Sequence, residues 1–328
     1  MTETNAYIPQ QLPDVAAATA IATTPLGDAE LAAVATHLKG LDPAGSRFAA
    51  VLRDTIDQLL NGEATGRYDW QQLFKTEKTH AGTLVEINVQ REFQLADGQE
   101  MDYSICGVDV DCKYSQQFGG WMIPPEAMGH ICLLLWAEDR TSRWSAGLLR
   151  VRREVLNKGN NRDHKLTVKA AHRDSIHWLW KDQPLPENVL LHMLPADREA
   201  VLSPSLSGQA RVNELFRRAQ NRPVSRNVVR TVAQQKDYMK RVRYNGGARS
   251  QLRSEGILIM GDYASHQDVA RSLGIYVPKE GEFVSARVVP AAELHGRAPS
   301  VTLDGHAWVR ARPEDPVVPA PSLPSHKK

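Results

Sequence analysis

The stretch Met101–Ser115, M-D-Y-S-I-C-G-V-D-V-D-C-K-Y-S, constrains this chain more than any other. At the two-residue period of an extended strand, Val108, Val110 and Cys112 share one face, and Asp109, Asp111 and Lys113 share the other. The first face needs a core behind it. The second places two carboxylates and an amine together, with Asp102 at the far end of what Gly107 can turn into a tight hairpin. Such an array suits a divalent cation beside a water molecule better than it suits a neutral surface.

Around this stretch the chain is long enough, at 328 residues, for two ordinary domains with a core in each. No apolar run approaches the ~20 residues of a membrane span. The Ala-rich start at 16–22 lacks the basic and long apolar regions of an export signal, so a cytoplasmic protein with no membrane partner is expected. Cys106, Cys112 and Cys132 are odd in number and lack paired metal-ligand spacing, which predicts reduced core cysteines.

Residues 1–30 are polar and aperiodic and are expected to be disordered. A helical period then runs from Asp28 to Leu60, residues 61–66 read as a loop, and a second helix is predicted over Thr79–Phe93. Glu86 stands in that helix beside apolar neighbours. A half-buried glutamate needs a partner: Arg91 or a lysine of the Lys75–Lys78 loop on one reading, a metal or water facing the acidic strand on the other. Beyond the hairpin, residues 116–121 form a loop with an exposed Trp121. Gly129–Trp136 has the continuous apolar run of a strand buried on both faces, and Trp144–Val151 gives another strand. These elements predict an α/β domain with a mixed sheet flanked by helices, spanning 31–180. Pro184 and Pro186 mark a linker at 181–187.

The second half differs in charge. Net charge over the whole chain is only +2, but Ser205–Met260 carries twelve basic residues against three acidic ones, a net +9. An amphipathic helix at Ala210–Ala219, a helix capped by Ser225 and running to Gln234, and a third from Lys236 to Tyr244 suggest a helix-turn-helix unit. A strand at Gly256–Met260 follows. A positive stripe on such a unit is the footprint of a duplex-DNA binder, with Arg226, Arg230, Lys236, Lys240, Arg241, Arg243, Arg249 and Arg253 as the candidate DNA contacts. This predicts a mainly α DNA-binding domain at 188–311 and a disordered Pro-rich tail at 312–328.

Phosphodiester hydrolysis needs compensation for transition-state charge and a hydroxide-like nucleophile at neutral pH, and bound Mg²⁺ supplies both. A lysine two residues beyond a ligating carboxylate can orient the nucleophile and stabilise charge. Asp102, Asp111 and Lys113 spell this D…(D/E)-x-K pattern.

Longer segments carry a resemblance: Lys75–His80 with Gly82–Asn88, Val110–Lys113, Gly129–Cys132, Gln209–Arg218, and Thr231–Gln235 with Met239–Arg243 and Gly246–Ser250. They resemble the NaeI family of type II restriction endonucleases over roughly residues 40–290. The resemblance implies a restriction-endonuclease core followed by a catabolite-activator-like helix-turn-helix domain, topoisomerase-like in the family's terms. It also implies a homodimer, Mg²⁺ dependence, and activation by a second DNA site. Catalytic residues carried over from it fall on Glu86, Asp102, Asp111 and Lys113, the three carboxylates being the metal ligands, while Asp109 becomes a neighbour. Leu59 occupies the place of a ligase's nucleophilic lysine, so ligase chemistry is not expected. The family's palindrome GCCGGC is the default site, and a cognate DNA methyltransferase the expected partner. The alternatives are a non-catalytic helix-turn-helix regulator and a nicking or repair nuclease on the same core.

Overall fold

In a computed structural model, residues 27–159, 163–243 and 245–324 are described; of the disorder expected for 1–30, residues 1–26 fall outside them, while 28–30 begin the first helix. Asp28 starts the first helix, α1 (Ala29–Leu41), by accepting the Leu31 N–H at 3.0 Å. α2 (Ser46–Leu60) ends at Asn61, which is left-handed at φ 46°. The loop expected at 61–66 contains a one-turn helix, α3 (Gly62–Thr65). α4 (Lys75–Phe93) begins earlier than the expected Thr79 because the Glu77 carboxylate reaches back to the Phe74 N–H at 2.8 Å and closes the first turn.

Six strands follow: β1 (Ala96–Asp97), β2 (Tyr103–Ile105), β3 (Val108–Ser115), β4 (Ile131–Glu138), β5 (Arg143–Arg150) and β6 (His177–Pro184). They form one sheet in chain order, with β3 and β4 parallel and all other neighbours antiparallel. The mixed sheet is as expected. Along β4 the side chains alternate between two cores: Ile131, Leu133 and Leu135 pack with α2 and α4, while Cys132, Leu134 and Trp136 pack with Trp121, Leu149, Val151 and Ile176. Helices cover the first face. Irregular chain at 121–127, 151–159 and 163–176 covers the second, held by the bridges Ile123–Leu166 and Leu156–Val168.

Three expectations need correction in this half. Trp121 is fully buried, its indole N–H donating to the Leu135 carbonyl at 2.7 Å, so its removal is expected to cost about 3–5 kcal/mol. Cys106 is exposed in the hairpin turn, whereas Cys112 and Cys132 are buried free thiols. The first residues of the expected linker belong to β6, where Pro184 pairs with Arg143 at the sheet's edge, a position that tolerates a missing N–H.

The second half contains α5 (Val189–His192), α6 (Pro195–Val201), α7 (Gly208–Arg218), β7 (Val224–Ser225), α8 (Arg226–Ala233), α9 (Ala248–Gln251), β8 (Ile257–Met260), α10 (Ala264–Ser272), β9 (Glu282–Pro290), β10 (Ser300–Leu303) and β11 (His306–Arg310). Ser225 caps α8 as expected, accepting the Val228 N–H at 3.2 Å. Helices make up more of this unit than strands do, and β7–β11 add a five-stranded sheet around β9. The helix expected at 236–244 shrinks to a 3₁₀ turn, Tyr238–Arg241. Lys236 and Lys240 repel at helical i,i+4 spacing, and the chain folds back so tightly that a Cβ on Gly247 would lie 2.6 Å from the Lys240 carbonyl oxygen. The Pro-rich tail is ordered through 324. Ala320 is buried and exchanges two 2.8 Å hydrogen bonds with Arg253, and Arg287 donates to carbonyls of Arg312, Asp315 and Pro316.

The two halves touch through α3 and α8. A Cβ on Gly62 would collide with the Thr231 side chain, and Asn227 donates to Asp57 at 2.8 Å. A polar cavity of about 370 Å³ lies at this seam, lined by Asp54, Asp57, Glu63, Tyr68, Asn227 and Arg230 among others. No helix among the described residues is long and apolar enough to cross a membrane.

Candidate active site

Ile105 and Val108 pair across a two-residue turn in which Cys106 (φ 55°) and Gly107 (φ 77°) are both left-handed, the geometry that matches the twist of the flanking strands. This hairpin brings Asp102 back onto β3. Its Oδ2 accepts the Cys112 N–H at 2.6 Å and lies 3.7 Å from Lys113 Nζ. The ammonium donates to Asp111 Oδ1 at 2.5 Å and to the Cys112 carbonyl at 3.0 Å. Asp102, Asp111 and Lys113 therefore form one connected cluster.

Asp111 is 4% exposed, and burial pushes its carboxyl above the ordinary range, with the Lys113 charge opposing. For Lys113, burial is the largest single influence and would lower the pKa, but the charge and hydrogen bond of Asp111 together with the charge of Asp102 outweigh it, and the ammonium is held protonated. Glu86 is half-buried on α4, and its pKa is raised by burial and then by the nearby charge of Asp102. Neither Arg91 nor the lysines of 75–78 pair with it; its carboxylate has no hydrogen-bond or ion-pair partner among the described residues. Its backbone carbonyl accepts the Tyr103 hydroxyl at 2.8 Å, which ties α4 to the hairpin. Asp109 stands apart. It accepts the Gln99 and Glu100 N–H groups at 3.0 and 2.8 Å, and these bonds lower its pKa, so it clips the loop before the hairpin.

A contact that sequence reasoning missed is Cys132 on β4. It lies opposite Asp111 in register, and its thiol donates to Asp111 Oδ2 at 3.2 Å. The run Gly129–Trp136 had shown a buried strand, but a pairing register between parallel strands leaves no local sequence signal. Burial holds this thiol protonated, which leaves Asp102, Asp111 and Glu86 as hard oxygen donors. No ready-made cage of three or more metal-ligating side chains exists among the described residues. Asp102 and Asp111 instead flank the Lys113 ammonium, and a two-carboxylate set fits a hard divalent cation that keeps waters and substrate oxygens as its other ligands.

The candidate DNA contacts fall into two groups. Arg226, Arg230, Lys236, Lys240 and Arg243 are exposed, and Arg241 is half-buried. Within this group Arg226 pairs with Asp262, Arg230 with Glu63 and Lys240 with Asp237, while Lys236 and Arg243 have no ion-pair partner among the described residues. Arg249 and Arg253 turn inward. Arg249 donates to the Ile259 carbonyl at 2.9 Å and burial lowers its pKa; Arg253 donates to the Ala320 carbonyl. Much of the +9 is also neutralised by acids outside the segment: Glu187 holds Arg222 and Asp197 holds Arg218.

Comparison with known proteins gives the family. The family model for restriction endonuclease NaeI matches residues 32–319. The type II restriction enzyme NaeI of Lentzea aerocolonigenes is 51% identical over 304 residues, covering 90% of this chain and 95% of that protein. A match across both halves sets aside a non-catalytic regulator. This chain belongs to the NaeI family of restriction endonucleases and is a type II site-specific endonuclease that acts on DNA.

Proposed function

We propose that this endonuclease hydrolyses both strands of duplex DNA at a GC-rich palindrome, GCCGGC by default, using Mg²⁺ held by Asp102 and Asp111 with Glu86 as the third carboxylate. The cluster in which Lys113 lies 2.5 Å from Asp111 and 3.7 Å from Asp102 carries the reading. Bound Mg²⁺ would supply charge compensation at the phosphorus and a more acidic water. Lys113, kept protonated by its neighbours, orients the nucleophile and stabilises developing negative charge. Glu86, half-buried and without a partner among the described residues, would accept a proton from the attacking water.

Residues 31–180 form the catalytic domain in this reading, with β6 completing its sheet. Residues 188–311 form the DNA-binding domain, with α7, α8 and the turn Tyr238–Arg241 as the helix-turn-helix and β8 and β9 behind it. That domain binds a second, effector copy of the site through Arg226, Arg230, Lys236, Lys240, Arg241 and Arg243. The enzyme acts as a homodimer in the cytoplasm, alongside a cognate methyltransferase that protects the host's own sites.

Asp111→Ala and Lys113→Ala each abolish cleavage of plasmid DNA in Mg²⁺ while site-specific binding persists, and discrete fragments from either variant would sink the assignment. Sequencing the ends that the wild-type enzyme makes identifies the palindrome. Comparing plasmids with one and two sites tests the effector requirement, and equal rates would exclude it.

A further inference from the structure

Gly82 has no reason inside the protein to be glycine. It is the eighth of the nineteen residues of α4, its backbone is right-handed, and a Cβ built on it would have nothing packed against it within 4 Å. The other helical glycines are accounted for. A Cβ on Gly62 would collide with Thr231 and one on Gly208 with the Ala233 carbonyl, while Gly40, equally open, lies in the last turn of α1, where helices end. Mid-helix glycine destabilises relative to alanine, because the unfolded chain has more freedom to lose. Its usual use is to let something come close to the backbone, and for Gly82 nothing among the described residues does.

Position identifies what could. Residues i, i+3, i+4 and i+7 of a helix share a face, so Thr79, Gly82, Thr83 and Glu86 form one row on α4. The row Ala81, Val85 and Val89 is the one turned to the core. Thr79 and Thr83 are exposed, and Thr79 turns its hydroxyl back to the Lys75 carbonyl at 2.7 Å. At the end of this open row Glu86 lies close enough to Asp102, Lys113 and Asp111 to feel their charges. Helical side chains lean toward the N-terminus, so Glu86 leans back toward the turn that holds Gly82.

Gly82 precedes Glu86 by four residues, about 6 Å along the helix axis. Successive nucleotides of one strand lie about 3.4 Å apart along a duplex. A strand whose reacting phosphate sits at the acidic cluster therefore reaches Gly82 within about two nucleotides.

We infer that Gly82 positions the scissile strand: its bare Cα lets the sugar–phosphate backbone beside the cut lie directly against α4. The inference rests on the proposal that Glu86, Asp102 and Asp111 form the catalytic centre. The contact is steric, since the N–H of a mid-helix residue is already bonded within the helix. A Cβ would push the strand outward by roughly 1.5 Å, and a misplacement of about 1 Å costs on the order of a hundredfold in rate.

The test is Gly82→Ala in the full-length enzyme, assayed with Mg²⁺ on plasmid DNA that the wild type cuts. Its melting temperature should rise by about 2–4 °C. Its kcat should nevertheless fall by about 10- to 100-fold, with KM changed less than about threefold because affinity is spread over many phosphate contacts. Gly40→Ala is the control, raising the melting temperature without changing either constant. A stabilised Gly82→Ala with wild-type kcat would overturn the inference and make the glycine merely tolerated. A lowered melting temperature would overturn it as well, since the side chain would then be crowded from within the protein. So would a loss of activity accompanied by dissociation of the dimer in sedimentation, which would make a second copy the neighbour. Glu86→Gln separates the two readings: wild-type cleavage by that variant removes the catalytic reading, whereas an inactive Glu86→Gln beside a fully active Gly82→Ala removes only this one.

Discussion

Asp139→Ala tests the charge cluster that fastens α2 beneath the sheet. Arg53 is 5% exposed, and its guanidinium donates to both oxygens of Asp139 and, at 2.7 Å, to Asp57. Asp57 accepts from the Asn227 amide of α8 on its other oxygen at 2.8 Å, so the same cluster joins the two halves. Asp139 itself is 2% exposed, which leaves water no route to replace it. Removing one partner of a buried pair costs about 3–5 kcal/mol, because the other charge stays dry. Asp57 remains beside Arg53, so the lower end, about 3 kcal/mol, applies. At roughly 2–4 °C per kcal/mol for a chain of this size, the melting temperature should drop by about 6–12 °C. Calorimetry at neutral pH measures it. Arg53→Met with Asp139→Leu should cost less than the two single changes summed, because the pair is removed together. A shift within about 1 °C for Asp139→Ala would refute the reasoning, since the guanidinium would then have to be hydrated in the native state.

The basic half offers a contrast: Lys236→Gln with Arg243→Gln should reduce the salt slope of DNA binding by about 2, whereas Arg249→Gln should leave it unchanged and lower the melting temperature. A slope change from Arg249→Gln would contradict its inward placement. The hydrogen bond from Arg150 is the largest cause holding the Asp28 carboxyl below its ordinary value. The stability it contributes is therefore present above the unfolded pKa and is lost as pH falls through the folded one. Asp28→Asn, which keeps a capping side chain, should be less stable than wild type at neutral pH, with the gap closing below about pH 4. A gap that persisted in acid would assign the effect to packing instead.

Alternation made the β2–β3 hairpin legible, because one face of β3 meets a core and the other does not, and Gly107 marked the turn. The length and continuous apolarity of Gly129–Trp136 marked a strand buried on both sides, which β4 is. What escaped reading was non-local. β6 mixes tryptophans with charges and ends in a proline, so its pairing with β5 has no periodic signature. Trp121 read as exposed because glycines precede it, and its burial depends on a carbonyl fourteen residues away. The tail read as disordered by composition, yet Arg253 and Arg287 bond its backbone carbonyls, which proline leaves free as acceptors.

Charge shows the same division between what is local and what is not. Counting Lys and Arg along 205–260 suggested one uniform stripe, but a cation is available to DNA only if no carboxylate or carbonyl has already taken it. Arg217 and Glu255 are 38 positions apart and Arg222 and Glu187 35, and no local count can see them. Applied to side chains in place, the same test removes Arg249 and Arg253 from the candidate surface and leaves Lys236 and Arg243. Pairing in three dimensions therefore decides which positive charge of the basic half remains to meet a polyanion.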